Sequence, residues 1–113
     1  MRKTDKKIDN QLRVALTDVC ETALKQIDGF EWLTHLVNYA NFPKSLQVIC
    51  VFDTNQHLAT FTANSGETGL TDLIQSKLNG IGIKLKNPSN HVSYDTEENC
   101  SKEHNGNWAN RLG

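Results

Sequence analysis

The sequence lacks any long run of apolar residues, and no segment approaches the roughly 20 residues of a membrane-spanning helix. Its first ten residues, MRKTDKKIDN, do not contain the apolar stretch of a secretory signal. Cysteine is scarce, and the spacing of Cys20, Cys50 and Cys100 does not indicate a disulfide framework. Together these absences predict a cytoplasmic protein whose cysteines are reduced, with no membrane partner.

Local signatures of catalysis are missing as well. The chain has no nucleophile elbow, no glycine-rich phosphate-binding loop, and no cysteine paired by motif with a histidine. An active site assembled from distant residues would leave no such signature. Because none of these motifs is present, the sequence favours a non-enzymatic binding or regulatory module without a cofactor. A metal-dependent enzyme is the less favoured alternative.

What is present is enough for one folded domain. A chain of 113 residues can bury about two thirds of the surface that its extended form exposes. Hydrophobic residues make up only 37% of it, yet they cluster in periodic segments, which is typical of a globular chain. We predict a single α+β domain over residues 1–113, with residues 1–4 flexible and residues 105–113 packed on the core as a C-terminal tail.

The first predicted element is a long amphipathic helix from about Thr4 to Asp28. Apolar residues recur on one face at three- and four-residue spacing: Ile8, Leu12, Ala15, Leu16, Val19, Ala23 and Ile27. Thr4 or Asp5 can cap its start, and Gly29 can adopt the left-handed conformation that commonly ends a helix.

The middle of the chain predicts a sheet. Residues 30–39 favour a strand, although their apolar spacing also suits a helix. The segment from Leu46 to Phe52 is nearly all apolar, which predicts a central strand covered on both faces. After a turn, residues 57–63 favour a strand that pairs with it, and a capped helix starting at Asp53 or Thr54 is the alternative.

A second amphipathic helix is predicted to begin near Thr68 and to end at Asn79-Gly80. Beyond it, the alternation of residues 81–86 predicts a half-buried strand, and residues 91–94 predict a second strand joined to it as a hairpin. The expected fold is therefore α+β, with the two helices packed on a mostly antiparallel sheet of four to five strands.

The end of this second helix carries a family resemblance. The segment IQSKLNGIGI resembles the end of a Fis-type helix-turn-helix. The segments FEWLTHLVNY, FPKSLQVICVFDT, HVSYDTEENC and GNWANRL are similar to those of short bacterial proteins often labelled Fis-family transcriptional regulators. The resemblance implies a bacterial regulator associated with DNA. Lys77 is the one cation of the matching helix, because the positions where the pattern tends to carry Arg or Lys are occupied by Gln75, Ser76, Asn79 and Gly80.

Basic residues are unevenly distributed along the chain. The net charge of −1 argues against general affinity for nucleic acid, because that affinity depends on cations that displace counterions from phosphate. A nucleic-acid surface would combine a basic N-terminal arm with later lysines, and the predicted set is Arg2, Lys3, Lys6, Lys7, Arg13, Lys77, Lys84 and Lys86. The alternative is a solvated helix start without a partner.

Two candidate metal sites can be drawn from the sequence. Zinc accepts the side-chain types of four residues that lie within a span of fourteen: His91, Asp95, Cys100 and His104. The alternative for this segment is an acidic helix ended by Asn105-Gly106. Asp53 and Asp95 each follow an apolar strand and could hold Mg²⁺. A capping box of Asp95 with Glu98, and a turn at Asp53, are the structural alternatives.

Three hypotheses predict different surfaces. A nucleic-acid-associated regulator should gather the basic set into one positive surface. A protein-interaction module should present either an uncharged groove or an apolar patch involving Trp32, Phe42 or Trp108. A metal-dependent enzyme should bring Asp53 and Asp95 together.

Overall fold

A computed structural model describes residues 3–112, and this range contains five α-helices and three strands. The order is α1 (Lys3–Gln26), β1 (Phe30–Leu36), β2 (Gln47–Phe52), α2 (Asn55–Ala63), α3 (Gly66–Gly80), β3 (Val92–Thr96), α4 (Glu97–His104) and α5 (Trp108–Leu112). Short 3-10 turns lie at Tyr39–Asn41 and Pro88–His91. The predicted α+β class is confirmed. Within residues 3–112, every helix is too short or too polar to cross a bilayer.

The two long helices form where the apolar periodicity places them. Leu12, Leu16 and Val19 of α1 are buried in one cluster with Leu70 and Ile74 of α3. Fully burying an aliphatic side chain of this size contributes about 1.5–3 kcal/mol. The packing of α1 and α3 on the sheet and on each other therefore stabilises these two helices far more than their intrinsic helical propensity does.

The sheet is smaller than predicted and is of mixed type. Its order is β1-β2-β3, so the expectation of four to five mostly antiparallel strands is wrong. β1 and β2 pair antiparallel, with Trp32 opposite Val51, whereas β2 and β3 pair parallel, with Phe52 opposite Thr96. The parallel pairing follows from the connection, because α2 and α3 carry the chain back to the end of the sheet where β2 starts.

Two segments predicted as strands are not strands. Residues 57–63 belong to α2, because the Thr54 hydroxyl caps this helix by accepting a hydrogen bond from the His57 backbone N–H at 3.1 Å. The capped-helix alternative is therefore the correct one. Residues 81–85 are irregular: Ile83 and Leu85 are buried while Lys84 is exposed. Their alternation reflects burial against the core without a partner strand.

Strand β2 is covered on both faces, as its sequence predicts. Cys50 and Phe52 lie in the core cluster beneath α1 and α3. Val51 faces the other way and is also fully buried. On that second face α5 brings Trp108 edge-on to Trp32, with 4.9 Å between ring centroids. Three layers result: α1 and α3, the sheet, and α5.

Candidate functional site

Two contacts show which parts of the chain meet at one end of the molecule. The Tyr39 hydroxyl donates to an Asp9 carboxylate oxygen at 2.8 Å and joins the first half of α1 to the loop after β1. His91 Nδ1 lies 2.7 Å from the Leu46 carbonyl oxygen and joins the starts of β2 and β3. The first turns of α3 line the same groove as the last turns of α1, so the two helices are antiparallel. The start of α1 and the end of α3 therefore share one end with the starts of β2 and β3.

Most lysine and arginine residues belong to segments that the topology places toward this end, which we call the basic end. Its described members are Lys3, Lys6, Lys7, Arg13, Lys44, Lys77, Lys84 and Lys86. Arg2 belongs to the predicted set but lies outside the described residues. Asp5 and Asp9 lie on the same part of α1, and the Asp9 carboxylate is 2.9 Å from Arg13 Nε. The hydrogen bond from Tyr39 is the main reason that the pKa of Asp9 is lowered.

The cations of the basic end are mostly open to solvent. Lys3, Lys6, Lys7, Lys84 and Lys86 are exposed. None of these five forms a salt bridge with another residue in the range 3–112. Lys44, which the sequence-based set omitted, is exposed as well, and Lys77 is half-buried. Lys44 lies in the β1–β2 loop, and its place at the basic end is a consequence of topology that no local motif signals.

The helix with the Fis-like ending is the second of two consecutive helices. Asn64 and Ser65 join α2 to α3, and Ser65 adopts the left-handed conformation at φ 59°. A helix that reads the major groove needs hydrogen-bond donors on its exposed face. The exposed stripe of α3 consists of Thr68, Gly69, Asp72, Ser76, Asn79 and Gly80, so its one charged residue is acidic.

Comparison with protein-family models, with curated proteins and with solved structures finds no match. The chain has a second polar region, at the end of the molecule opposite to the basic end, where the carboxyl ends of β2 and β3 lie side by side.

Four residues form a hydrogen-bonded group there, which we call the edge network: Asn55, Thr96, Glu98 and Asn99. The Thr96 hydroxyl donates to Asn55 Oδ1 at 2.6 Å and accepts from the Asn99 backbone N–H at 3.0 Å. The Asn55 amide donates to Asn99 Oδ1 at 2.7 Å, and its backbone N–H donates to Glu98 Oε1 at 2.9 Å. This last bond is the main cause of the lowered pKa of Glu98. The edge network ties the start of α2 to the start of α4.

Sequence reasoning missed this network. The expected capping box of Asp95 with Glu98 does not form, because Thr96 is the N-cap of α4 and Glu98 satisfies a backbone N–H of α2 instead. The spacing of Thr96 and Asn99 was a usable signal for the cap. The link to Asn55, 43 residues from Glu98, has no local signal.

Asp53 and His57 form a separate pair beside the edge network. His57 Nδ1 lies 2.7 Å from Asp53 Oδ1, and this hydrogen bond is the main reason that the pKa of Asp53 is lowered. An ionised carboxylate only accepts hydrogen bonds, so Nδ1 of His57 carries a proton and donates it to Asp53. Gly29, with φ +83°, packs so closely that a Cβ there would lie 2.5 Å from the His57 Cβ. The imidazole is thus held from two sides.

The four residues predicted to bind zinc lie in different environments. His91 precedes β3 and Asp95 lies near its end, which separates them by about 13 Å of extended chain. Cys100 is fully buried, and burial raises the pKa of its thiol and disfavours the thiolate that binds zinc. His104 Nδ1 lies 3.2 Å from Arg111 Nη1. Among residues 3–112, no group of three or more His, Cys, Asp and Glu side chains is arranged to hold a metal ion.

Asp53 and Asp95 are each engaged by a different partner. Asp53 is held by His57, whereas both oxygens of Asp95 accept from Arg111, with Nε to Oδ2 at 2.5 Å and Nη2 to Oδ1 at 3.0 Å. The bidentate pair fastens α5 to β3. The two aspartates proposed for a metal-dependent enzyme therefore have structural roles in this arrangement.

Two of the three aromatic residues considered for an apolar patch contact each other. The indole N–H groups of Trp32 and Trp108 donate to the two oxygens of Glu97, at 2.6 Å and 3.1 Å. A shallow cavity of about 380 Å³ lies beside them, and Leu36 at its edge is 45% exposed. Phe42 instead stacks on Tyr39, with 5.9 Å between ring centroids.

Proposed function

We propose that this protein is a non-enzymatic regulatory module that binds nucleic acid through its basic end. The proposal is supported by exposed lysines in three segments that the topology places toward one end, namely the start of α1, the β1–β2 loop and the segment between α3 and β3. Most carboxylates lie elsewhere on the molecule, so the net charge of −1 does not cancel this local field. A concentrated positive field attracts a polyanion whatever the overall charge.

The composition of the basic end supports contact with phosphates more than reading of bases. Lysine ammonium groups act as mobile point charges, whereas base recognition favours the planar fork of arginine or the amides of Asn and Gln on a helix in the groove. Arg13, the described arginine at this end, is paired with Asp9. The exposed stripe of α3 contributes no cation. We therefore propose binding that depends on the nucleic-acid backbone and little on its sequence.

Amide NMR with mixed-sequence duplex DNA, at low and then physiological salt, tests the proposal. We expect shifts confined to residues 3–13, Lys44, Lys77 and residues 84–86, which weaken as salt rises. Each phosphate neutralised should add about −0.9 to the slope of log affinity against log salt. An unchanged spectrum at low salt, where even non-specific binding appears, would remove the proposal.

A matched pair of charge reversals separates a local surface from overall charge. Lys84→Glu changes an exposed lysine of the basic end, and Lys25→Glu makes the same change in charge at the far end of α1. We expect Lys84→Glu to weaken DNA binding about three- to tenfold and to reduce the magnitude of the salt slope by about 1. Lys25→Glu should change binding far less. Equal losses from the two variants would contradict a localised binding surface.

A protein-interaction module is the second candidate. The exposed Leu36 beside the Trp32–Trp108 pair favours it, because large exposed apolar side chains that adjoin a cavity are typical of interfaces. The simplest partner is a second copy of the chain, and translational diffusion by NMR at rising concentration tests it. Leu36→Asp should reduce such self-association, while Lys84→Glu should leave it unchanged.

A further inference from the structure

A groove of about 600 Å³ opens between the last turns of α1, α2 and the first turns of α3. Its walls are mainly apolar and are formed by Ala23, Ile27, Phe61, Leu70 and Leu73. This volume and this mainly apolar lining are those of sites that hold small molecules in proteins. It is distant from the basic end, because it lies where α1 ends and α3 begins.

Glycine at the start of α3 shapes the groove. A Cβ on Gly66 would lie 2.4 Å from the Phe61 ring, so this ring rests directly on the glycine. The same ring packs on Phe52 and Tyr94, with centroid distances of 4.9 Å and 5.8 Å, which fixes one aromatic wall. One turn further, a Cβ on Gly69 would meet nothing within 4 Å. The groove therefore has a rigid aromatic side and an open side.

The charge at the groove favours a cation. No Lys or Arg is among its lining residues, and the charged lining residue is Asp28. His57 also lines it, with Nδ1 hydrogen-bonded to Asp53. Gln26, Thr60 and Asn64 add neutral polar side chains. A carboxylate or phosphate ligand would meet negative charge here, whereas an ammonium group would be attracted.

We infer that this groove binds a small aromatic amine, whose ring packs against Phe61 and Leu73 and whose ammonium group faces Asp28. The inference does not depend on nucleic-acid binding, which uses the opposite end of the molecule. It assigns to the protein a ligand class, an apolar ring that carries a positively charged amine, and a site with one rigid aromatic wall.

Tryptamine and indole-3-propionate form a matched pair of probes, because they carry the same ring with opposite charge. In an amide NMR titration at pH 7, we expect saturable shifts with tryptamine at the groove residues, including Gly66, Gly69 and Leu73. Indole-3-propionate should bind at least fivefold more weakly, as expected for replacing an attraction with a repulsion at a half-exposed site. Absence of saturable shifts with tryptamine, or equal affinity for the two compounds, would overturn the inference.

Two variants on the same helix locate the site. Gly69→Leu fills the open side of the groove without a clash at Cβ, whereas Gly80→Leu adds the same side chain at the end of α3, where a Cβ also meets nothing within 4 Å. We expect Gly69→Leu to abolish tryptamine shifts and Gly80→Leu to preserve them. Asp28→Asn should weaken tryptamine about threefold to fivefold, with Glu31→Gln, an exposed acid outside the groove, as its control. Tryptamine binding that survives Gly69→Leu would contradict the site. An unchanged DNA affinity in Gly69→Leu would show that the groove and the basic end are independent sites.

Discussion

The two polar ends of the molecule use their side chains in opposite ways. At the edge network, the Thr96 hydroxyl both donates and accepts, and the Asn55 side chain both donates and accepts, so these groups are consumed by internal hydrogen bonds. At the basic end, Lys3, Lys84 and Lys86 extend into solvent without a salt bridge to another described residue. Polar groups that a fold satisfies internally stabilise it, and those left exposed are available to a partner.

This comparison separates stability from binding. If it is correct, substitutions in the edge network should lower stability, whereas charge changes at the basic end should alter binding and hardly lower stability.

Thr96→Val should destabilise the protein by about 2 kcal/mol. Thr96 is 0% exposed, and the change leaves the Asn55 side-chain oxygen and the Asn99 backbone N–H without their partners in a buried place. Urea unfolding followed by tryptophan fluorescence measures the difference. Thr62→Val on the exposed face of α2 is the control and should change stability by less than about 0.5 kcal/mol. Similar values for the two variants would mean that the edge network does not hold the two helix starts.

The elements that sequence predicts well are those set by local periodicity. α1 and β2 follow directly from an apolar stripe and from an apolar run. The sequence predicts a strand over residues 30–39, and the structure has one at Phe30–Leu36, which agrees with the content of β-branched and aromatic residues and not with the helical spacing. In these segments, burial of side chains along one element agrees with its local preference.

The missed features depend on pairing between distant segments. The alternation of apolar and polar residues over 57–63 predicts a strand, but this segment is part of a helix that Thr54 caps. The sequence predicts β3 as one arm of a hairpin. Its parallel pairing with β2 depends on the crossover through α2 and α3, which local patterns do not indicate. The edge network and the groove depend on the same crossing, so neither could be predicted from local patterns. For the basic end, the residue types were evident, but their gathering requires α3 to run antiparallel to α1.

Lysines at the start of α1 should lower stability slightly, and this gives a second test. Lys3, Lys6 and Lys7 repel one another at three- and four-residue spacing, and cations oppose the positive end of the helix dipole. Lys3→Glu should therefore stabilise the protein by about 0.5 kcal/mol, while it weakens DNA binding. Lys25→Glu, in the last turn of the same helix, should destabilise by a similar amount and leave DNA binding nearly unchanged. A change in the free energy of unfolding that has the same sign in Lys3→Glu and Lys25→Glu would contradict these opposite electrostatic effects at the two ends of α1.

The smallest expected effects are pKa changes, one at each end. The pKa of Asp9 is lowered mainly by the hydrogen bond from Tyr39, and that of Asp53 mainly by the hydrogen bond from His57. Carboxyl ¹³C shifts from pH 7 to pH 2 should show that Tyr39→Phe raises the pKa of Asp9 alone and that His57→Ala raises the pKa of Asp53 alone.

A carboxyl group whose pKa is lowered by folding stabilises the folded state above its unfolded pKa, which is about 4, and loses this contribution as pH falls through the folded value. Each variant should therefore reduce the acid sensitivity of unfolding only below about pH 4, with little change at pH 7 in how stability depends on pH. Simultaneous movement of both pKa values in either variant would show that the two ends are coupled, and the separation of a stabilising end from a binding end would then fail.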